Sequence, residues 1–133
     1  MSEENVETVR RSLEAFDRRD KAPWLEARSE DFKVVTSNEW PEGDVRGREA
    51  AWDFYVTVAD TFERRPFSDD IEFMDAGPDK VLVHQRNDVR GSESGVNVEI
   101  DYWVVTSFRD GKMIRDQWFE SRDEALEAAG LEE

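Results

Sequence analysis

Residues 97–120, NVEIDYWVVTSFRDGKMIRDQWFE, constrain the chain more tightly than any other stretch. Val, Ile, Tyr, Trp and Thr crowd its first half, and Asp110-Gly111 is a strong hairpin signal. Two strand registers are open. A two-residue turn sets Arg109 opposite Lys112 and Val105 opposite Asp116. A three-residue turn with a Gly111 bulge sets Phe108 opposite Lys112 and Val104 opposite Asp116.

Alternation chooses between them. Val98, Ile100, Tyr102, Val104, Thr106 and Phe108 make the more apolar face. Residues opposed across a ladder share a face. The bulged register adds Ile114, Asp116 and Trp118 to that face, whereas the other adds Arg115 and Gln117. The bulge at Gly111 is therefore the expected one. It makes Asp116 a carboxylate on an otherwise apolar interior surface.

The remaining elements read in order. Val6, Val9, Leu13 and Phe16 recur at helical spacing behind Ser2. Asp20 can cap a short helix over 22–28, with Trp24 and Leu25 as anchors. Residues 32–37 read as a strand, and a loop over 38–47 carries Trp40. A third helix over 48–62 buries a stripe that includes Trp52 and Tyr55. Strands follow from Pro66 to Met74 and over 80–90, and a turn at Gly91 to Gly95 leads into the hairpin. A short helix over 122–129 starts on Ser121 and stops at Gly130. Helices segregated from an antiparallel sheet make this an α+β fold.

A chain of 133 residues suits one domain, 1–133, and its five Trp and eight Phe supply a core. With no Cys there is no disulfide framework and no thiolate chemistry. A net charge of −15 speaks against nucleic acid and anionic membrane as partners. No apolar run approaches a membrane span, and no leader opens the chain, so a cytoplasmic location is expected.

Three segments carry a resemblance to a known family. ENVETVRRSLEAFDRRD resembles its first helix and the turn that follows, and DVRGREAAWDFY its third helix. FRDGKMIRDQWFESRDEALEAAGL resembles the last hairpin and C-terminal helix of SnoaL-like proteins, in the nuclear transport factor 2-like superfamily. The resemblance implies a cone, in which a strongly curved sheet wraps around helices and leaves a pocket at its open end. It also implies dimers through the outer sheet face. The implied activities are polyketide cyclase, ketosteroid isomerase and dehydratase chemistry, mostly by acid/base residues without metal or cofactor. The cyclases' catalytic Asp on the last strand aligns with Trp118, and Asp116 lies one inward step earlier. The isomerases' base aligns with Val35-Thr36-Ser37, which has no carboxylate, and their first-helix tyrosine with Phe16. The isomerase pattern is therefore missing.

Candidate chemistry centres on Asp116, because a carboxyl group in an apolar pocket suits proton transfer at a carbon acid. The competing role is a structural pair with an Arg such as Arg86. Tyr102 is the candidate donor to a ligand carbonyl. His84, the only His, is a candidate proton shuttle. Val81, Val83 and Gln85 look like the inner set of their strand, however, which turns His84 outward. Phe16, Trp24, Trp40, Trp52, Tyr55, Val104 and Trp118 are the expected lining for a small hydrophobic or aromatic ligand, or else core. Neither a metal site nor a cofactor motif is present, so none is expected. Trp103, Val105, Met113 and Phe119 fall on the outer face, where they would drive a homodimer. Three functions fit: a cofactor-independent enzyme of cyclase, isomerase or dehydratase type, a binding module, and a dimeric scaffold.

Overall fold

The computed structural model describes residues 2–36, 44–64, 71–91 and 97–131, and the side chains of 3–36, 44–60, 71–85 and 102–131. The order is α1 (Ser2–Asp17), α2 (Lys21–Glu26), β1 (Arg28–Val35), β2 (Val45–Arg46), α3 (Arg48–Thr61), β3 (Phe62–Arg64), β4 (Ile71–Asp75), β5 (Lys80–Gly91), β6 (Asn97–Arg109), β7 (Lys112–Phe119) and α4 (Arg122–Ala129). The strands form one curved, open sheet in the order β2-β1-β7-β6-β5-β3, with β4 also paired to β5. Every pairing is antiparallel except β1 with β7. The α+β cone expected from the sequence is the fold observed. Trp40, the start of the strand at Pro66 and the turn after Gly91 lie outside the described residues.

The sheet has two unlike faces because side chains alternate along each strand. Phe32, Val34, Val81, Val83, Tyr102, Val104 and Phe108 point inward and pack on Val9, Phe16 and Trp24 and on the Trp52 and Tyr55 stripe of α3. Leu82, Trp103 and Val105 point outward and are covered by Ala125, Leu126 and Ala129 of α4. That helix holds its place with local signals. Ser121 accepts a hydrogen bond from the Glu124 N–H at 3.4 Å, and Gly130 closes the C-terminus at φ 76°.

The central hairpin corrects the expected register. Asp110 (φ 53°) and Gly111 (φ 78°) are both left-handed, as a tight two-residue turn requires, and Arg109 faces Lys112. The bulge lies at Ile114, inside β7, because the pairing runs Phe108 with Met113 and then Ser107 with Arg115. Beyond it Thr106 faces Asp116 and Val104 faces Trp118. Asp116 and Trp118 therefore do point inward, although for a different reason from the expected one. Met113 moves to the interior and is 1% exposed, not on the outer face as expected. Trp103 and Val105 are buried on the outer face within a single chain, and Phe119 is half-buried. The apolar outer surface expected to drive a dimer is thus mostly covered by the chain itself.

Candidate active site on the concave face

Asp116 is the centre of the site. It is 7% exposed on an inner face otherwise made of Tyr102, Val104 and Thr106. Two other elements converge on it, and a residue of its own strand braces one of them. Thr106, opposite on β6, donates its hydroxyl to Oδ1 at 2.8 Å. Tyr55, on the buried stripe of α3, donates to Oδ2 at 2.7 Å. Trp118, two residues along β7, donates its indole N–H to the Tyr55 hydroxyl at 3.1 Å. Asp116 accepts at both oxygens, the pattern of a carboxylate, and each oxygen keeps a lone pair for another donor.

Arg28 places a buried positive charge within electrostatic reach of Asp116. It opens β1 and is buried, with its guanidinium stacked over Trp24 at 3.6 Å and near Phe32 at 5.0 Å. Nη1 donates to Ser12 Oγ at 2.6 Å and to the Trp24 carbonyl at 2.9 Å. Burial lowers the Arg28 pKa to about 10, against the opposing pull of Asp116 and Tyr55. Tyr55 moves the other way. Burial, and then the charge of Asp116, hold its phenol well above the ordinary value near 10.0, so it is a donor in neutral solution.

A stack of rings flanks the carboxylate. Tyr102 lies on Trp118 at 4.6 Å, 14° from parallel, and Trp118 lies on Tyr55 at 5.8 Å. The Tyr102 hydroxyl, expected to serve a ligand beside Asp116, instead donates to Gln85 Oε1 at 2.5 Å. This fixes the Gln85 amide, whose Nε2 is buried without a hydrogen-bond partner. Most of the described residues expected to line a pocket are buried. Phe16 (2% exposed) and Trp24 (1%) are sealed among protein rings: Phe16 meets Trp52 at 5.4 Å, and Trp24 meets Trp52 at 5.3 Å. Trp52, Tyr55 and Val104 are buried as well, and of the group only Trp118, beside Tyr55 and Asp116, is half-buried. Trp40 and the Arg86 side chain lie outside the described residues.

His84 stands apart from this site. It sits opposite Trp103 on the outer face, and the two rings stack at 3.7 Å and 2°. Its Nδ1 is 3.9 Å from the Glu72 carboxylate. The sheet separates it from Asp116, so it neither orients that carboxylate nor relays its proton. Among the described residues, no group of three His, Asp or Glu side chains is placed to hold a metal ion.

Two participants were not assigned their roles from the sequence. Arg28 is read there as the end of a helix, although an Arg between Trp24 and Phe32 is a signal for a stacked guanidinium. Tyr55 is read as apolar lining, although a tyrosine on a buried helical stripe needs a partner for its hydroxyl.

A family model for the SnoaL-like domain matches residues 9–116. The chain belongs to this family. Solved structures agree on the fold. A nuclear transport factor 2-like protein from Burkholderia xenovorans is 25% identical, with a TM-score of 0.80 and 97% of each chain covered. A protein from Jannaschia sp. described as a candidate SnoaL-like polyketide cyclase is 21% identical, with a TM-score of 0.72, covering 98% of this chain and 94% of the other. TerC, crystallised with polyporic acid, is 21% identical, with a TM-score of 0.69, covering 96% and 98%. No curated protein sequence matches. The SnoaL-like chain also contains, among its described residues, no helix long and apolar enough to cross a membrane.

Proposed function

We propose that this SnoaL-like chain is a cofactor-independent acid/base catalyst acting on a small, flat, carbonyl-bearing molecule at its concave face. The observation that carries the proposal is the buried Asp116 carboxylate, fixed by the Tyr55 and Thr106 hydroxyls and bordered by the Tyr102–Trp118 stack. A base must be held still with a free lone pair toward its proton, and two donors on two different oxygens do this. Tyr55 is the neutral donor that would strengthen its bond to Asp116 or pass it to the ligand as charge moves. The unpartnered Gln85 Nε2 offers a further donor to a ligand oxygen. The reaction class is proton abstraction beside a carbonyl, which serves cyclisation, isomerisation or dehydration alike. The TerC structure with polyporic acid supports a small organic ligand on this fold.

The test is exchange of carbon-bound hydrogen for solvent deuterium across a panel of aromatic 1,3-dicarbonyl compounds, followed by NMR. Asp116→Asn should cut the exchange rate by at least ~100-fold, while line broadening still reports ligand binding. Binding of the panel without exchange in the native chain would refute catalysis. It would support the second reading, a binding module, which is favoured by the prior engagement of the Tyr102 hydroxyl by Gln85.

A further inference from the structure

The register of the sheet aligns positive charge on the outer face of a strongly acidic protein. Arg46 of β2 faces Lys33 of β1, and Lys33 faces Arg115 of β7. Arg115 faces Ser107 of β6, which in turn faces Lys80 of β5. Residues paired in this way share a face, and Phe32, Val34 and Asp116 on either side of Lys33 and Arg115 point inward, so the row points outward. Lys80 is engaged: its Nζ donates to the Ala128 carbonyl of α4 at 3.1 Å. Among the described residues Lys33, Arg46 and Arg115 make no ion pair, and the Arg115 Nε and Ser107 Oγ at the centre of the row are buried without a hydrogen-bond partner.

This vacancy in the charge pattern is notable in a chain with 33 acidic and 18 basic residues. Other cations find carboxylates readily, as Arg10 does with Glu7, Arg19 with Asp60, Lys21 with Glu49 and Arg109 with Asp31. Directly opposed like charges on neighbouring strands destabilise a sheet. Here two such pairs adjoin, Arg46 with Lys33 and Lys33 with Arg115. Their repulsion is relieved when an anion lies along the row.

We infer that the Arg46–Lys33–Arg115 row docks a short acidic segment of a partner protein. At about 4.8 Å between strands the row is ~10 Å long, the reach of two or three carboxylates at alternate positions of an extended segment. Asp31, in β1 two residues before Lys33 and paired with Arg109, and Asp44, just before β2, are exposed and limit the footprint. A long polyanion such as nucleic acid would run onto that acidic surround. The neighbouring rung, Val35 with Gln117, offers half-buried uncharged surface for the segment's other side chains.

Fluorescence anisotropy on the full chain tests this, using a labelled peptide of alternating Asp and Thr and its Asn counterpart. The Asp peptide should bind, weaken as salt is raised, and lose about tenfold in affinity in Lys33→Glu. The Asn peptide should not bind, and Asp116→Asn should bind the Asp peptide as the native chain does. Lys33→Gln should unfold at the native temperature or above, because it removes repulsion, and should also bind more weakly. Equal binding of the two peptides, or an unchanged affinity in both Lys33 variants, overturns the inference. So does tighter binding of a single-stranded oligonucleotide of equal charge. Salt-sensitive self-association abolished by Lys33→Glu would assign the row to a second copy of this chain and overturn it as well.

Discussion

Replacing Tyr55 with Phe removes one oxygen at the junction of three elements and leaves the ring in place. The hydroxyl donates to Asp116 at 2.7 Å and accepts from Trp118 at 3.1 Å. A hydrogen bond to a charged acceptor contributes about 1.5–3 kcal/mol. The indole N–H also loses its acceptor, but Trp118 is half-buried, so water can offset most of that loss. The sum is a destabilisation of about 2–3 kcal/mol, or about 7–11 °C in melting temperature for a domain of this size. Urea unfolding followed by far-UV circular dichroism should show a lower midpoint with an unchanged slope. Asp116→Asn and the double variant complete a cycle in which the two changes couple by at least ~1 kcal/mol. A loss under about 0.5 kcal/mol, or strict additivity, would refute the Tyr55–Asp116 bond and the site built on it.

The same phenol predicts a pH effect. Its folded pKa is raised, so its contribution is fully present below pH 10 and is lost as pH climbs above that value. Arg28, lowered to about 10, acts with the opposite sign at alkaline pH, so the comparison to make is native against Tyr55→Phe, whose stability gap should narrow above pH 10. Direct absorbance titration should find Tyr55 still protonated where an exposed tyrosine is half ionised. Met113→Ala should cost about 2–4 kcal/mol in urea unfolding because it empties an interior position, whereas Gln117→Ala on the outer face should stay within ~0.5 kcal/mol. Gly130→Ala should cost about 1 kcal/mol by the same measurement. That cost is conformational, since an added Cβ meets nothing within 4 Å while φ is +76°.

The fold was legible because its signals are local and repeated. Alternation in β6, the helical stripe behind Ser2 and the Ser121 and Gly130 caps each needed only a few neighbouring residues. Asp116 was assigned to the correct face, but through a bulge expected at Gly111 that the structure places at Ile114 instead. The position of the bulge was not legible, since Ile114 carries no glycine or proline to mark it, and the shift it causes sent Met113 to the wrong face. Tyr55 as a partner of Asp116 was hidden by distance, since the two are 61 positions apart along the chain. Arg28 was hidden by its type, because an Arg is ordinarily surface and only the rings of Trp24 and Phe32 make its burial intelligible.

The placement of β7 between β1 and β6 has a consequence for how the chain is made. On the ribosome, β1 emerges early, and its parallel neighbour β7 follows the other described strands. Until Lys112–Phe119 arrives, the flanks of β1 and β6 that will receive it stand as two open edges, each offering unpaired backbone groups to any neighbouring nascent chain. The insertion of β7 seals both at once and delivers Asp116 to Tyr55 and Thr106 in the same event. The Asp116 cluster therefore cannot form before β7 has emerged, and a truncated product that lacks β7 would leave both edges open and be prone to aggregate.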